Sequence, residues 1–485
     1  MLLSRILQGV NFNAADFRDV EISTIEINSQ NITPGGLFVA ITGHKTDGRQ
    51  YIPDALKRGA AAIVYGGEYE IPSESKAVII KAAGNIRDAL AKITQNFYND
   101  IPPLISAITG TNGKTSIAEF TRCFMSLLGH SSASIGTIGV VSDVMENIET
   151  LTTPDSVTLH KILSNLRQRG VDYVSMEASS AGLEQQRLDN VPIKVAGFTN
   201  FTQDHLDYHQ NMENYFNAKK LLFSKVMEQS GTAVLNADIG EFAELNDICQ
   251  SRSIKVLSYG KNGHDLKLNA VAPHARGQVL DIEIMGKKYK VDLPLIGEFQ
   301  AMNVLCALGM IIGLTGELNQ KIIDYLPRLK GAIGRLDCAG VLKNGAGVYV
   351  DYAHTPDALE NVLKTMRVHT QNRLWVMFGC GGDRDKLKRP IMGKIANDLA
   401  DFVIVTDDNP RSENPAVIRS EILAQCPKAV EIADRVEAIA FAISHLQSGD
   451  MLVLAGKGHE SGQKIGDIII PMNDIDEAKK QIAKY

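Results

Sequence analysis

The segment from Gly110 to Ser116 contains the residue types that bind a polyphosphate. Lys114 supplies a point charge, the Thr115 hydroxyl is a ligand for Mg²⁺, and the backbone N–H groups of a glycine loop face anionic oxygens. Ile108 stands where the general phosphate-loop pattern has its first glycine, so only the tighter string that begins at Thr109 fits. The segment predicts a site for a nucleoside triphosphate, and the alternative is an ordinary strand-to-helix turn.

The residues on either side of this loop predict the elements that position it. An apolar run over 103–108 is typical of a buried strand, and residues 116–128 carry apolar side chains at helical spacing. A strand, a loop and a helix in this order direct the helix N-terminus towards the bound anion.

Two further side chains lie at the ends of predicted strands. Glu177 ends the strand predicted over 173–177, and His205 follows the strand predicted over 195–199. Each has an ordinary structural explanation, as a capping carboxylate or a hydrogen-bonded histidine. Together with Mg²⁺ on Thr115, they favour a two-metal site. Lys219 lies in a helical segment, and its pattern alone favours a surface lysine with a packed stem.

The composition limits the possible classes of protein. The chain has 485 residues, of which 44% are hydrophobic, and this suggests about three domains with buried cores. Its net charge of −6 gives no reason to expect a nucleic-acid partner. Its 6 cysteines lie far apart, which favours reduced thiols and a cytoplasmic location. The N-terminus lacks a long apolar region and no stretch approaches the length of a membrane span, so no membrane insertion is expected.

The pattern of elements predicts three α/β domains. These are a small domain over 1–98, a phosphate-loop domain over 99–331 with an antiparallel insertion at 264–295, and a Rossmann-like domain over 332–485. In the third domain strands alternate with amphipathic helices, which predicts a doubly wound parallel sheet. Polar strings follow four of its strands, at 352–354, 379–384, 407–411 and 456–460. Ligands bind at that edge of open α/β sheets, so these strings favour a binding site over solvated loops.

The chain is identified by its motifs as resembling the Mur ligases, ATP-dependent amide-forming enzymes of peptidoglycan precursor synthesis. The strings that carry the resemblance lie, in this order, at 109–115, 177–180, 204–209, 334–337 and 350–356. The resemblance extends over essentially the whole chain. It implies that the three domains bind a UDP-linked substrate, ATP and an amino acid, in that order.

Two strings narrow the resemblance within the family. Residues 28–48 resemble the uridine-site domain of the member that adds the third residue of the stem peptide, and residues 408–411 resemble its meso-diaminopimelate form. Arg411 can donate two parallel N–H bonds to the distal carboxylate of diaminopimelate, a group that lysine lacks. The implied reaction activates UDP-N-acetylmuramoyl-L-alanyl-D-glutamate as an acyl phosphate, which the amine of diaminopimelate then attacks. The third domain is expected to close over this intermediate, which water would hydrolyse.

The resemblance also implies roles for individual residues. The ATP-binding residues would be Gly110, Thr111, Asn112, Gly113, Lys114, Thr115, Ser116, Asn303, Arg335 and Asp351, with His354 nearby. The UDP-substrate residues would be Ser29, His44, Lys45, Thr46, Thr152, Thr153, Ser179, Gln185 and Arg187. The diaminopimelate residues would be Arg389, Asp408, Asn409, Pro410, Arg411, Gly456 and Glu460. The catalytic residues would be Lys114, Glu177, His205 and Lys219.

Two Mg²⁺ ions are implied, with Thr115, Glu177, His205 and Lys219 as ligands. The resemblance makes Lys219 a carbamylated lysine, and therefore an anionic ligand, in place of a surface lysine. The chain departs from the family pattern at Gln300, where the adenine-side string usually has asparagine, and at Ala181, where relatives often have histidine. The longer amide of Gln300 is expected to preserve adenine binding, and Ala181 receives no role.

Three other functions remain open from the residues. A folate-polyglutamate ligase would share the core fold, but the predicted uridine-type domain argues against it. A phosphate-loop motor or switch ATPase would not need the polar edge of the third domain. A non-catalytic nucleotide-binding partner is the third alternative, and an amine-dependent phosphate-release assay separates all three. For the ligase, the expected partners are its small-molecule substrates, and the expected state is a monomer.

Overall fold

A computed structural model describes residues 1–13, 17–43, 46–71 and 75–485. His44 and Lys45, two of the predicted UDP-substrate residues, lie outside these ranges. The chain forms two compact units, one of residues 1–258 with 306–318 and the other of residues 259–305 with 319–485. The predicted domain boundaries at 98 and 331 stay a prediction.

The first part of the first unit is a small sheet flanked by helices. Its strands are β1 Phe12–Asn13, β2 Ile25–Glu26, β3 Leu37–Ala40, β4 Ala62–Gly66 and β5 Val78–Ala82. Its helices are α1 Leu3–Ile6, α2 Ile52–Lys57 and α3 Ile86–Phe97, with 3₁₀ turns at Ser29–Asn31 and Gly48–Tyr51. The strand order is β1-β5-β4-β3-β2, with β1 antiparallel to β5 and the other neighbours parallel.

The second part of this unit contains the phosphate loop. Its strands are β6 Leu104–Thr109, β7 Ser132–Gly136, β8 Gly139–Ser142, β9 Tyr173–Glu177, β10 Ile193–Phe198, β11 Thr232–Asn236 and β12 Lys255–Gly260, the last of which ends in the second unit. Its helices are α4 Lys114–Leu127, α5 Ser156–Gln168, α6 Ser180–Glu184, α7 Leu206–His209, α8 Met212–Leu221, the π-helix Leu222–Val226 and α9 Phe242–Ser251.

Strand β6 lies between β9 and β10 and is parallel to both. Their carboxyl ends therefore share one edge of the sheet, where the phosphate loop, Glu177 and Thr199 follow the three strands. The core beneath them is apolar and includes Ile105, Met176 and Phe198. Three segments far apart in sequence are thus brought to one place by β-pairing.

The second unit begins with an antiparallel ladder, which confirms the insertion predicted over 264–295. Its strands are β13 Leu266–His274, β14 Gly277–Ile284 and β15 Lys287–Leu293. The helices that follow are α10 Glu298–Thr315, whose residues are shared between the two units, α11 Gln320–Tyr325 and the 3₁₀ turn Leu326–Arg328.

Helix α10 corrects one sequence prediction. It has 18 residues and a mean hydropathy of 1.4, so by length and composition it is long enough to cross a membrane. No stretch of that length was expected. Most of the helix, 67%, is buried inside the protein, and core helices meet the same two criteria.

The rest of the second unit is a doubly wound sheet. Its strands are β16 Asp337–Val341, β17 Gly347–Asp351, β18 Leu374–Phe378, β19 Phe402–Val405, β20 Val430–Glu431, β21 Met451–Ala455, β22 Gly462–Ile465 and β23 Ile468–Pro471. Its helices are α12 Pro356–His369, α13 Lys388–Leu399, α14 Pro415–Leu423, α15 Arg435–Ser444 and α16 Asp474–Ile482.

The order of the main sheet is β16-β17-β21-β18-β19-β20, and only β16 is antiparallel to its neighbour. Alternate side chains of β18 enter two separate cores, since Phe378 packs with Leu363 of α12 and Trp375 packs with Ile439 of α15. Helices therefore cover both faces, and the predicted doubly wound α/β fold is confirmed. Strands β22 and β23 form a separate hairpin.

Candidate active site

The phosphate loop is shaped by two glycines in backbone conformations that other residues rarely adopt. Gly110 has a φ of 137° and Gly113 a φ of 88°, and α4 begins immediately after Gly113. A side chain on Gly110 would overlap the Thr199 hydroxyl at the end of β10. The loop is also tied to β10 because the amide N–H of Thr111 donates to the carbonyl of Asn200 at 2.8 Å. The loop is therefore held open towards the α4 N-terminus, as an anion site requires.

Two lysines converge on one carbonyl of this loop. Lys114 Nζ donates to the Gly110 carbonyl at 2.9 Å and to the Thr111 carbonyl at 2.7 Å. Lys219 Nζ donates to the same Gly110 carbonyl at 2.8 Å and lies 4.3 Å from the centre of the Tyr215 ring. The ring face is a weak ligand for a cation.

Lys219 is buried, with 1% of its surface exposed, so the surface position suggested by its pattern is wrong. Burial lowers the pKa of Lys219 well below its ordinary value, Lys114 lowers the pKa further, and Asp204 partly opposes both. A buried amine beside a second cation favours its neutral form. The neutral, nucleophilic form of this amine is therefore favoured relative to an ordinary lysine.

Thr115 and Glu177 are brought together, as the metal-site prediction requires. The Thr115 hydroxyl donates to Glu177 Oε1 at 2.9 Å, and both side chains are buried. The backbone N–H of Thr137 donates to the same oxygen at 2.8 Å, and a side chain on Gly136 would overlap the carboxylate. A hydroxyl and a carboxylate with this fixed geometry are hard oxygen ligands suited to Mg²⁺.

His205 lies in a different environment. Its side chain is 60% exposed, its φ of 51° is left-handed, and its Nε2 lies 3.5 Å from Asp204 Oδ2. Within the described ranges, no three His, Cys, Asp or Glu side chains are grouped so that they could hold a metal ion. The structure thus places Thr115 beside Glu177, and the participation of His205 and Lys219 in a metal site stays a prediction.

The predicted acceptor residues of the phosphate-loop domain form one hydrogen-bonded group. The Thr153 hydroxyl donates to the Glu177 carbonyl at 2.9 Å and accepts from the Ser179 N–H at 2.9 Å. Arg187 donates to the Thr153 carbonyl at 2.6 Å and to Gln185 Oε1 at 2.8 Å. Thr152 is connected through its hydroxyl, which lies 3.1 Å from the Thr137 hydroxyl.

Two predicted acceptor residues lie in the small domain. Ser29 is buried in the 3₁₀ turn after β2, where its hydroxyl bonds to Asp54 and lowers the pKa of that carboxyl. Thr46 is exposed in the loop after β3. Because β2 and β3 are parallel neighbours, these two loops leave the same edge of the sheet.

Arg87 also lies at this hydrogen-bonded group, although no pattern in the sequence marks it. It projects from the first turn of α3 and donates weakly to the Gln185 and Thr42 carbonyls, each at 3.4 Å. Burial lowers the pKa of Arg87, and Arg187 lowers it further. An arginine on an amphipathic helix has no distinguishing pattern, so only the fold reveals its position.

Arg335 and Asp351, two of the residues implied in nucleotide binding, both lie next to Leu336. The Asp351 carboxylate accepts from the N–H groups of Leu336 at 2.7 Å and Ala353 at 2.8 Å. Burial raises the pKa of Asp351, and Arg335 opposes that rise. The Arg335 guanidinium lies 5.1 Å from the centre of the Tyr352 ring.

The other two residues implied on the nucleotide side, His354 and Asn303, form hydrogen bonds to residues nearby in the sequence. His354 Nδ1 bonds to the Tyr352 carbonyl at 2.8 Å. Asn303 donates to Gln300 Oε1 at 3.1 Å, and both side chains are buried. The departure at Gln300 therefore places an amide next to the predicted Asn303.

The string 408–411 lies at the carboxyl edge of the doubly wound sheet, as predicted. Asn409 Nδ2 donates to Glu460 Oε2 at 2.8 Å, and Gly456 packs against Asp408. Burial raises the pKa of Asp408, whereas Arg435 and Lys457 lower it. These residues follow β19 and β21, whose carboxyl ends lie at the same edge of the sheet on either side of β18.

Hydrogen bonds to the β22–β23 hairpin hold the backbone of Arg411 in place. Its φ of 52° is left-handed, its N–H donates to the Lys464 carbonyl at 3.0 Å, and its carbonyl accepts from Gly466 at 2.7 Å. Its Nη1 donates to the Gly382 carbonyl at 2.8 Å. Among the described residues, no hydrogen bond uses its Nε or Nη2, so one edge of the guanidinium remains for a ligand.

Arg389 is a predicted site residue that bonds to several partners within the protein. It is 0% exposed and donates to Glu413 from both terminal nitrogens at 3.0 Å, to Glu421 at 2.7 Å and to the Gly381 carbonyl at 3.2 Å. These bonds fix the 379–384 string, so the structure gives Arg389 a supporting position in the site.

Lys457 is at the centre of this part of the site, although its position in the sequence predicted no role for it. It is 0% exposed and donates to Asn409 Oδ1 at 3.1 Å and to Glu460 Oε2 at 3.3 Å. Its place in the polar string 456–460 was a usable signal, since that string follows β21.

The fold and these sites define a family, and comparison with family models identifies it. The chain belongs to the Mur ligase family. It matches the Mur ligase family catalytic domain over residues 21–100, the Mur ligase middle domain over 108–311 and the glutamate ligase domain over 334–458. The resemblance inferred from the motifs is thereby confirmed.

Individual relatives cover nearly the whole chain. A protein of Agrobacterium fabrum named UDP-N-acetylmuramoyl-L-alanyl-D-glutamate--2,6-diaminopimelate ligase is 45% identical over 96% of this chain and 94% of its own length. A solved structure of a ligase with the same name is 33% identical, with a TM-score of 0.70 over 96% of this chain and 95% of that one. A MurF ligase of Thermotoga maritima in complex with ADP is 19% identical, covers 95% of this chain and 98% of that one with a TM-score of 0.61, and shares the fold.

Proposed function

We propose that the chain is the ATP-dependent ligase that joins meso-2,6-diaminopimelate to UDP-N-acetylmuramoyl-L-alanyl-D-glutamate in peptidoglycan precursor synthesis. The observation that carries the proposal is that Arg411 and Glu460 both lie at the carboxyl edge of the doubly wound sheet, in the strings that follow β19 and β21. The guanidinium has an edge without a hydrogen bond among the described residues, and Glu460 Oε1 also has none. A cation and an anion so placed complement the carboxylate and ammonium of a second amino-acid head.

ATP binding is supported by the loop from Gly110 to Ser116. Its N–H groups and the α4 N-terminus would hold the phosphates, and Lys114 would exchange its carbonyl bonds for phosphate oxygens. Asn303, Arg335 and Asp351 would contact the rest of the nucleotide. The family uses ATP and Mg²⁺, and here Thr115 and Glu177 offer the hydroxyl and carboxylate for the metal, which would neutralise charge on the transferred phosphoryl group.

The chemical environment of the Lys219 amine supports its carbamylation. The neutral amine adds to CO₂, a C–N bond forms, and one proton is released, which leaves an N-carboxylate anion. Burial and Lys114 hold the pKa of the amine well below its ordinary value, which favours the reactive neutral form. The product would place a negative charge beside the Lys114 ammonium and would add an oxygen ligand for a metal.

The acceptor would lie along the group of Thr152, Thr153, Ser179, Gln185 and Arg187. Its UDP end would reach Ser29 and the loop that contains Thr46 in the small domain. Its terminal carboxylate takes the γ-phosphoryl group of ATP, the amine of diaminopimelate attacks the acyl carbon, and phosphate leaves. The positive charges of Lys114 and Arg187 would stabilise the anions formed in these steps.

We propose further that the enzyme is a cytoplasmic monomer that does not insert into membranes and binds no nucleic acid. Reduced cysteines and a net charge of −6 support this part of the proposal. None of the six cysteines, all of which lie in the described ranges, forms a disulfide bond.

The test is a phosphate-release assay with ATP, the UDP-dipeptide and a panel of amines. We expect release only with all three substrates, with meso-diaminopimelate strongly preferred over lysine and ornithine. Lys114→Met is the inactive control. A folate-polyglutamate ligase would instead require glutamate and a folate, and a motor or switch ATPase would release phosphate without an amine.

A further inference from the structure

Lys457 joins the elements of the proposed diaminopimelate site. All three N–H bonds of its ammonium are used, by Asn409 Oδ1 at 3.1 Å, Glu460 Oε2 at 3.3 Å and the Gly462 carbonyl at 2.8 Å. Asp408 Oδ1 lies 3.6 Å from the same nitrogen. One buried cation therefore contacts the end of β19, the loop after β21 and the first residue of the β22–β23 hairpin.

The contact with Asn409 fixes how its amide is turned. Oδ1 accepts from Lys457 Nζ and from the Lys464 N–H at 2.9 Å, so Nδ2 must point to Glu460 Oε2. Glu460 Oε2 in turn accepts from both Asn409 and Lys457. The other carboxylate oxygen, Oε1, is left to accept a bond from a ligand, and the side chain is 32% exposed.

The contact with Gly462 extends this control to Arg411. The hairpin that starts at Gly462 presents the Lys464 carbonyl and the Gly466 N–H to the backbone of Arg411. Gln463 also donates to the Asp408 carbonyl at 2.7 Å. These bonds anchor the hairpin to the string 408–411 and hold Arg411 in its left-handed conformation. The buried Lys457 holds the first residue of the hairpin.

We infer that Lys457 is a positioning residue for the second amino-acid head of the amine substrate. It orients the carboxylate of Glu460 and the hairpin that holds Arg411, so that the ammonium and carboxylate of that head meet fixed partners. The inference rests on the proposed function. It assigns Lys457 to recognition of the amine, and gives it no part in ATP binding or in formation of the acyl phosphate.

The experiment compares Lys457→Met with Lys464→Met, a matched control on the same hairpin. Lys464 is exposed and contributes its backbone, which the substitution keeps. We expect Lys457→Met to raise KM for meso-diaminopimelate by about 10- to 100-fold, the range expected for loss of charge-assisted hydrogen bonds. KM for ATP and for the UDP-dipeptide should stay within about 3-fold, and preference for diaminopimelate over lysine should fall.

A purely structural role would give a different result. It would lower the active fraction or change all three KM values together, and either result overturns the inference. Lys457→Gln, which keeps a donor at the site, should show the same pattern with a smaller rise. If neither variant folds by circular dichroism, Lys457 belongs to the fold alone and the inference fails. Wild-type ligation of diaminopimelate in the same assay tests the proposed function separately.

Discussion

Lys114 and Lys219 donate hydrogen bonds to the same carbonyl, that of Gly110, at 2.9 and 2.8 Å. Two ammonium groups so close to one another, with one of them buried, disfavour the charged state of the buried group. The arrangement becomes favourable if the charge on one of the two side chains changes from positive to negative. Carbamylation of Lys219 would make that change.

We therefore expect a carbamate on Lys219. Purified enzyme equilibrated with ¹³C-bicarbonate should show a carbamate carbon signal that Lys219→Ala lacks, and this variant should lose turnover but still bind ATP. Short carboxylates should partly restore its activity. Lys220→Ala is the control, because Lys220 is on the same helix and pairs with Glu244. A Lys219→Ala enzyme with normal activity would contradict the assignment.

The unmodified amine should also affect stability. Its pKa in the folded protein lies well below the ordinary 10.5, so between those two pKa values the unfolded chain binds more protons. In CO₂-free buffer the free energy of unfolding should therefore gain a contribution from Lys219 as pH rises through this window. Urea unfolding at several pH values should show a smaller pH slope for Lys219→Met, and equal slopes would refute the prediction.

Glu177 is expected to bind Mg²⁺ together with Thr115. Glu177→Gln keeps the size of the side chain but removes the charge, so half-maximal activity should require about 10- to 100-fold more Mg²⁺. The control is Glu213→Gln, an exposed residue on α8. An unchanged Mg²⁺ titration would leave Glu177 as a partner of Thr115 and Thr137 only.

Gly110→Ala should weaken ATP binding strongly. The new methyl group would overlap the Thr199 hydroxyl, and the backbone would be strained at a φ of 137°. Gly129→Ala separates the two effects, since Gly129 has a φ of 98° but no atom within 4 Å of the added carbon. Isothermal titration with ADP should show lost affinity in the first variant only. Similar affinities in both variants would argue against a phosphate site at this loop.

Arg411→Ala should lower the kcat/KM of the enzyme for diaminopimelate. A buried carboxylate left without its partner costs about 3–5 kcal/mol. The loss in kcat/KM should therefore be roughly 10²- to 10⁴-fold. KM for ATP and for the UDP-dipeptide should hardly change, because the Arg411 side chain bonds only to carbonyls of the proposed diaminopimelate site among the described residues. A wild-type enzyme that uses lysine as well as diaminopimelate would rule out the assignment of the third residue, although the ligase activity would stand.

The amino-acid sequence by itself determined the chemistry-bearing loops and the class of fold. The string 109–115 predicts a phosphate site because such a site needs glycine at special backbone angles, lysine and threonine within one turn. The doubly wound sheet follows from alternating apolar strands and amphipathic helices, and the antiparallel insertion follows from its alternation. These signals are local, so neighbouring residues suffice to detect them.

Only the tertiary structure decided which long polar side chains are buried and what they contact. Lys219 has the pattern of a surface lysine, yet it meets Gly110, a residue 109 positions away. Arg389 is committed to Glu413 and Glu421, Arg87 reaches Gln185, and Lys457 joins Asn409 to Glu460. Each of these contacts joins residues that are distant in sequence and become neighbours only when helices and strand ends pack together, and no local period encodes such a neighbour.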